Sequence, residues 1–130
     1  MKIKKMSQND EGFWNLMGPF FASAEIQKKL KVSMASDVNH SWFVAVQDGS
    51  VCGFLALLPD KGKVFRIRYV YAQNNDPSLK TKLLKTASSN GPAIKRSMVF
   101  HDFDPWLNAG FVFTGKEKGK YREMSYTPVL

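Results

Sequence analysis

Apolar residues change their spacing along this chain, and each change marks an element. After Asn9 and Asp10, which can cap a helix, Phe13, Trp14, Leu16, Met17, Phe20 and Phe21 recur at helical spacing and form one stripe. Gly18-Pro19 should kink or break that helix. A second helix is expected from about Ser23 to Lys31, with Ala24, Ile26 and Leu30 inward and its lysines outward. From Ser41 the period becomes two: Trp42–Val46 and Val51–Leu58 read as strands joined at Asp48-Gly49, a tight-turn pair. Pro59-Asp60-Lys61-Gly62 turns the chain into Val64–Tyr71, where alternation puts Phe65, Ile67, Tyr69 and Tyr71 on one face and Arg66 and Arg68 on the other. Asp76-Pro77 then opens a helix with Leu79, Leu83, Leu84 and Ala87 as its buried stripe, and Asn90-Gly91-Pro92 closes it. A strand over Ile94–Phe100, a short helix or loop around Asp102–Ala109 and strands over Phe111–Thr114 and Tyr121–Thr127 complete the chain. Lys2–Met6 alternates weakly and adds a first strand. The expected order is β-α-α-β-β-β-α-β-α-β-β, an α+β (mixed α/β) fold around a mixed, mostly antiparallel central sheet.

At 130 residues the chain is read as one domain, residues 1–130. Nineteen basic residues against eleven acidic ones give a net charge of +8, which favours polyanions without choosing between nucleic acid, membrane surface and phosphorylated cofactor. The lone Cys52 lies in an apolar run and reads as a small buried hydrophobe, so a thiolate zinc site and an intrachain disulfide are both excluded. His101, Asp102 and Asp104 follow the fifth strand, but this cluster lacks a third ligand in sight and no metal is expected. With neither an apolar leader nor a spanning-length apolar segment, the expectation is a soluble, cytoplasmic protein without a membrane partner.

The strand Tyr69-Val70-Tyr71-Ala72, the loop Asn75-Asp76-Pro77-Ser78-Leu79-Lys80, the helix carrying Leu83-Leu84 and the later Trp106-Leu107-Asn108-Ala109-Gly110-Phe111 are collinear. In this order the chain resembles the GNAT family of acyl-CoA N-acyltransferases over nearly its whole length. The resemblance implies a GNAT-like fold and acetyl-CoA as co-substrate. It also implies transfer of an acetyl group to an amine, on a small molecule or a protein. Val70, Tyr71 and Ala72 would then flank the acyl group, and the amides of Ser78, Leu79 and Lys80, at a helix N-terminus, would face the pyrophosphate.

The chain departs from the family in both motifs. Asn75, Ser78 and Lys80 stand where the loop of the family carries Arg or Gln, Gly, and Gly or Ala. Pro77 removes a donor and Asp76 would repel a phosphate, while Lys80 and Lys82 add positive charge. Trp106 stands where the family has its tyrosine acid, and an indole N–H is no acid near neutral pH. Tyr71, His101 and Asp102 are the remaining candidates for proton transfer, although Tyr71 also suits aromatic packing and His-Asp a local turn. A second reading is a catalytically altered GNAT-like protein, either nucleic-acid-associated, including phage-type DNA modification, or a partner-binding pseudoenzyme. Exposed C-terminal strand edges admit either a monomer or a homodimer.

Overall fold

The computed structural model describes residues 1–61, 64–89 and 93–128, the side chain of Arg96 excepted. Its elements are β1 (Lys2–Met6), α1 (Phe13–Phe21), α2 (Ala24–Leu30), β2 (Ser41–Gln47), β3 (Ser50–Pro59), β4 (Phe65–Ala72), a 3-10 turn (Gln73–Asn75), α3 (Pro77–Ser89), β5 (Ile94–Val99), α4 (Asp104–Asn108), β6 (Val112–Lys118) and β7 (Tyr121–Tyr126). This is the expected order, and the fold is α+β. The described strands form one sheet in the order β1-β2-β3-β4-β5-β7-β6. Every neighbouring pair is antiparallel except β4 and β5. None of the described helices is long and apolar enough to cross a membrane.

The sheet buries both faces. On one, α3 and α4 cover Leu55, Leu57, Ile67, Ile94, Phe111 and Met124, with Leu83 and Leu84 fully buried between. On the other, α1 and α2 cover Trp42, Val44, Phe54 and Tyr69 through Phe13, Met17, Leu16 and Ile26. Each buried leucine or phenylalanine contributes about 1.5–3 kcal/mol relative to exposure, so the helices are held by these stripes more than by propensity.

Local chemistry explains several joints. Asp48 and Gly49 both take positive φ, 53° and 80°, which matches the twist of the β2–β3 hairpin. Asp76 caps α3: its Oδ1 accepts the N–H of Ser78 at 3.0 Å and that of Leu79 at 3.4 Å. The closing segment Asn90-Gly91-Pro92, and Gly62 of the turn before β4, lie outside the described residues.

Trp14, at 48% exposed, lies off the buried stripe of α1, and Cys52 is half-buried with its Sγ donating to the Ala45 carbonyl at 3.5 Å. Four further expectations need correction. First, α1 starts from Gly12 (φ 83°), because Asp10 spends its carboxylate on the N–H of Ser7 at 2.9 Å. Second, Gly18-Pro19 does not break α1. Pro19 falls near its end, and the last turn is clamped by Phe20 against Phe54 and Phe21 against Trp42, with ring centroids 5.3 Å and 5.5 Å apart. Third, Ala24 is exposed, and Gln27 turns inward instead, donating to the carbonyls of Phe21 and Ser23 and accepting the N–H of Met34. Fourth, β4 does not alternate throughout. Leu57 pairs with Ile67 and Ala56 with Tyr69, which leaves Arg68 as the extra residue of a β-bulge. Phe65 and Ile67 therefore face α3, whereas Tyr69 and Tyr71 face α1 and α2.

Candidate active site

The two parallel strands at the centre of the sheet meet only at one end. Phe65 pairs with Ile94, and the Phe65 N–H donates to the Ala93 carbonyl at 3.0 Å. One step on, the N–H of Ile67 finds the hydroxyl of Ser97, fully buried, at 3.1 Å. A side chain thus replaces a backbone carbonyl where the strands begin to part. Beyond that point β4 follows β3 out to the Gly53–Ala72 pair and β5 follows β7 out to Val99–Arg122. The bulge at Arg68 adds local twist to β4 at the same level.

A cleft opens in this fork. Its inner recess, about 140 Å³, is lined by β4 from Ile67 to Val70, β5 from Met98, Trp106 of α4, and Tyr121. The outer recess, about 380 Å³, adds Tyr71, Ala72, Asn74 and Asn75, and both are bounded by Lys29, Leu30, Lys31, Lys80 and His101. The outer volume lies within the roughly 300–1,000 Å³ of small-molecule sites. Two contacts bridge the fork. Lys80 Nζ donates to Asp102 Oδ2 at 2.9 Å and to Asn75 Oδ1. Lys31 Nζ sits 4.6 Å from the ring centre of Phe100.

No family model matches the chain, and no curated protein does. Solved structures do. An acyl-CoA N-acyltransferase from Pseudomonas aeruginosa superposes with a TM-score of 0.66 at 13% identity, over 98% of this chain and 100% of that one. An aminoglycoside 6'-acetyltransferase type Ii gives 0.65 at 17% identity, over 98% and 97%. The Campylobacter jejuni N-acetyltransferase PseH, in complex with acetyl coenzyme A, gives 0.60 at 17% identity, over 98% and 99%. The chain has the GNAT fold.

Within that GNAT fold the sequence-predicted residues divide into groups. Val70, Tyr71 and Ala72 lie along the β4 side of the outer recess. The ring of Tyr71 stacks on Phe54 at 5.2 Å, on the α1 and α2 side. The amides of Ser78 and Leu79 are directed at the Asp76 carboxylate, and the N–H of Lys80 at the Asp76 carbonyl at 3.1 Å. Leu79 itself packs into the core. His101 is exposed at the mouth, its ring against Phe100, whereas Asp102, at φ 65°, is paired with Lys80. Trp106 is buried edge-on to Phe111 in the wall of the inner recess.

Sequence reasoning missed Ser97, the bulge at Arg68, and the approach of Lys29 of α2 and of Lys31 at its C-terminal cap to the fork. Ser97 carried a signal, being a small polar residue between apolar positions of a buried strand. Arg68 did not, because a bulge depends on pairing with β3. Lys29 and Lys31 point away from the helix stripe and toward the fork at once, which only the placement of β5 reveals.

The clearest electrostatic perturbation lies beside the site. The Asp37 carboxyl is held below its ordinary range, first by the N–H of Asn39 and then by its hydrogen bond with His40.

Proposed function

We propose that the protein transfers an acetyl group from acetyl-CoA to an amine by direct attack on the thioester. The observation that carries this reading is the fork between β4 and β5: a strand edge of a central sheet left without a partner strand, beside a helix N-terminus. A pantetheine arm is an extended chain with amide groups, and it would occupy the missing strand's place along Val70, Tyr71 and Ala72. A β4 backbone N–H near Tyr71 or Ala72 would hold the carbonyl oxygen as charge develops on it. The amine nitrogen attacks the carbonyl carbon, the C–N bond forms, the C–S bond breaks, and the coenzyme A thiolate leaves while the nitrogen loses a proton.

His101 is the candidate for taking that proton, since Asp102 is engaged by Lys80. The thiolate is a fair leaving group that water can protonate, which makes the indole at Trp106 tolerable. With Asp76 already accepting from the Ser78 and Leu79 amides, positive charge at the phosphates would come from Lys82, which lines the same recess as Ser78 and Leu79, and from Lys80 once a phosphate displaces Asp102. Titration of the purified protein with acetyl-CoA by calorimetry tests the reading: saturable heat at micromolar cofactor is expected, and its absence up to high micromolar concentrations would end the acyltransfer account.

A further inference from the structure

The charges lining the fork differ between the two faces of the sheet. On the α3 side the cation is Lys80, which Asp102 and Asn75 already hold. On the α1 and α2 side, Lys29, Lys31 and Arg68 border the same cleft, and the only carboxylate among the residues lining either recess is Asp102. Lys29 also pairs with Glu25 at 3.5 Å on the outer surface of α2. That leaves Lys31, drawn over Phe100, and Arg68.

Arg68 is held in an informative way. As the bulge residue it departs from the strand alternation, and its guanidinium lies 5.1 Å from the centre of the Tyr69 ring. Its NH1 is 3.1 Å from Nε2 of His40, which is only 2% exposed and stacked on Trp42. The other ring nitrogen, Nδ1, lies 3.1 Å from the Asp37 carboxylate. That same Nδ1 accepts the backbone N–H of Asp37 at 3.1 Å, so the ring is held from both sides, by the Asp37 turn and by the Arg68 guanidinium. Arg68 therefore has an imidazole rather than a carboxylate as its partner, and among the described residues none of the ion pairs involves it. A guanidinium fixed beside a cavity with its charge unmatched is suited to a carboxylate or phosphate arriving from outside.

Resting on the acyltransfer reading above, we propose that the acceptor is a small amine that also carries an anionic group, a carboxylate or a phosphate. Arg68, with Lys31, receives that group on the α2 side, while the amine nitrogen faces the thioester carbon and displaces the coenzyme A thiolate as already written. A polycationic amine meets like charge at the same wall and is disfavoured.

The test measures thiol release from acetyl-CoA with matched acceptors: β-alanine against β-alaninamide, O-phosphoethanolamine against ethanolamine, and spermidine as the polycation. At least one anionic member should exceed its neutral counterpart by about tenfold or more in kcat/KM, the scale of a charge-assisted hydrogen bond. Which pair shows the larger ratio identifies carboxylate or phosphate. Arg68→Gln should lower that ratio about tenfold and Arg68→Lys should lower it less, a change that a purely structural role for Arg68 would not produce. Lys31→Gln supplies an independent variant on another element and should also reduce the ratio. Neutral amines or spermidine performing as well as the anionic acceptors, or ratios unmoved by these substitutions, would overturn the inference. If acetyl-CoA binds by calorimetry and the anionic amines give no advantage, this inference alone falls; if acetyl-CoA does not bind, the acyltransfer reading falls with it.

Discussion

Replacing Ser97 with alanine removes the acceptor that ends the β4–β5 junction. A backbone N–H points to one side of its strand only, and that of Ile67 points to β5, where the Ser97 hydroxyl meets it at 3.1 Å in a fully buried position. Alanine fits the space, so there is no steric penalty, but the amide is left buried and unpaired. Such a group costs about 1–3 kcal/mol. Taking 2 kcal/mol, the melting temperature of a chain this long should fall by roughly 6–10 °C. Ser88→Ala is the matched control. Its hydroxyl, also buried, donates to the Leu84 carbonyl at 3.0 Å, an acceptor that the helix already uses, so the loss should stay within about 0.5 kcal/mol. Urea unfolding of both variants, with amide hydrogen exchange at Ile67, gives the comparison. Equal stability of the two variants, or unchanged protection at Ile67, would refute the claim that a side-chain bond closes the fork.

Three further outcomes follow from the geometry. Asp76→Ser keeps an N-cap for α3 while removing a negative charge from the helix N-terminus, so acetyl-CoA should bind about 3–10-fold tighter at low salt and the gain should shrink as salt rises; calorimetry at two ionic strengths reads both. Gly53→Ala places a methyl 2.8 Å from the Tyr71 carbonyl oxygen and 3.0 Å from Leu79 Cδ2, between β3, β4 and α3; a loss of about 1–3 kcal/mol is expected in denaturant, and wild-type stability would show that the contact relaxes freely. Trp106→Phe should leave kcat with acetyl-CoA within about twofold, because the indole N–H cannot supply a proton near neutral pH, whereas Trp106→Ala should cost about 3–5 kcal/mol of stability; a large, pH-dependent fall in kcat for the phenylalanine variant would contradict this.

The elements were legible because each rests on short-range periodicity. Phe13 to Phe21, Trp42 to Val46 and Leu79 to Ala87 carry their spacing openly, and Asp48-Gly49 and Asp76-Pro77 need only local backbone preferences. Gly110-Phe111 and Leu83-Leu84 were among the residues that carried the resemblance to the GNAT outline. The reading failed where a residue answers to a partner distant in sequence. The face of Tyr69 depends on a bulge opposite Ala56 and Leu57, and the fate of Pro19 depends on what Phe20 and Phe21 touch. Asp102 looked like a companion for His101, yet Lys80, on another element, takes its carboxylate.

Order of elements, helix stripes and the capping of α3 are therefore properties of the linear chain, since the forces behind them act over a few residues. The fork is not. It arises because β4 is committed to β3 and β5 to β7, each by hydrogen bonds formed across the sheet, so that neither strand has its full edge left for the other. That competition between pairings exists only once the sheet is assembled. With it come the cleft and the meeting of Lys31 with Phe100 and of Lys80 with Asp102.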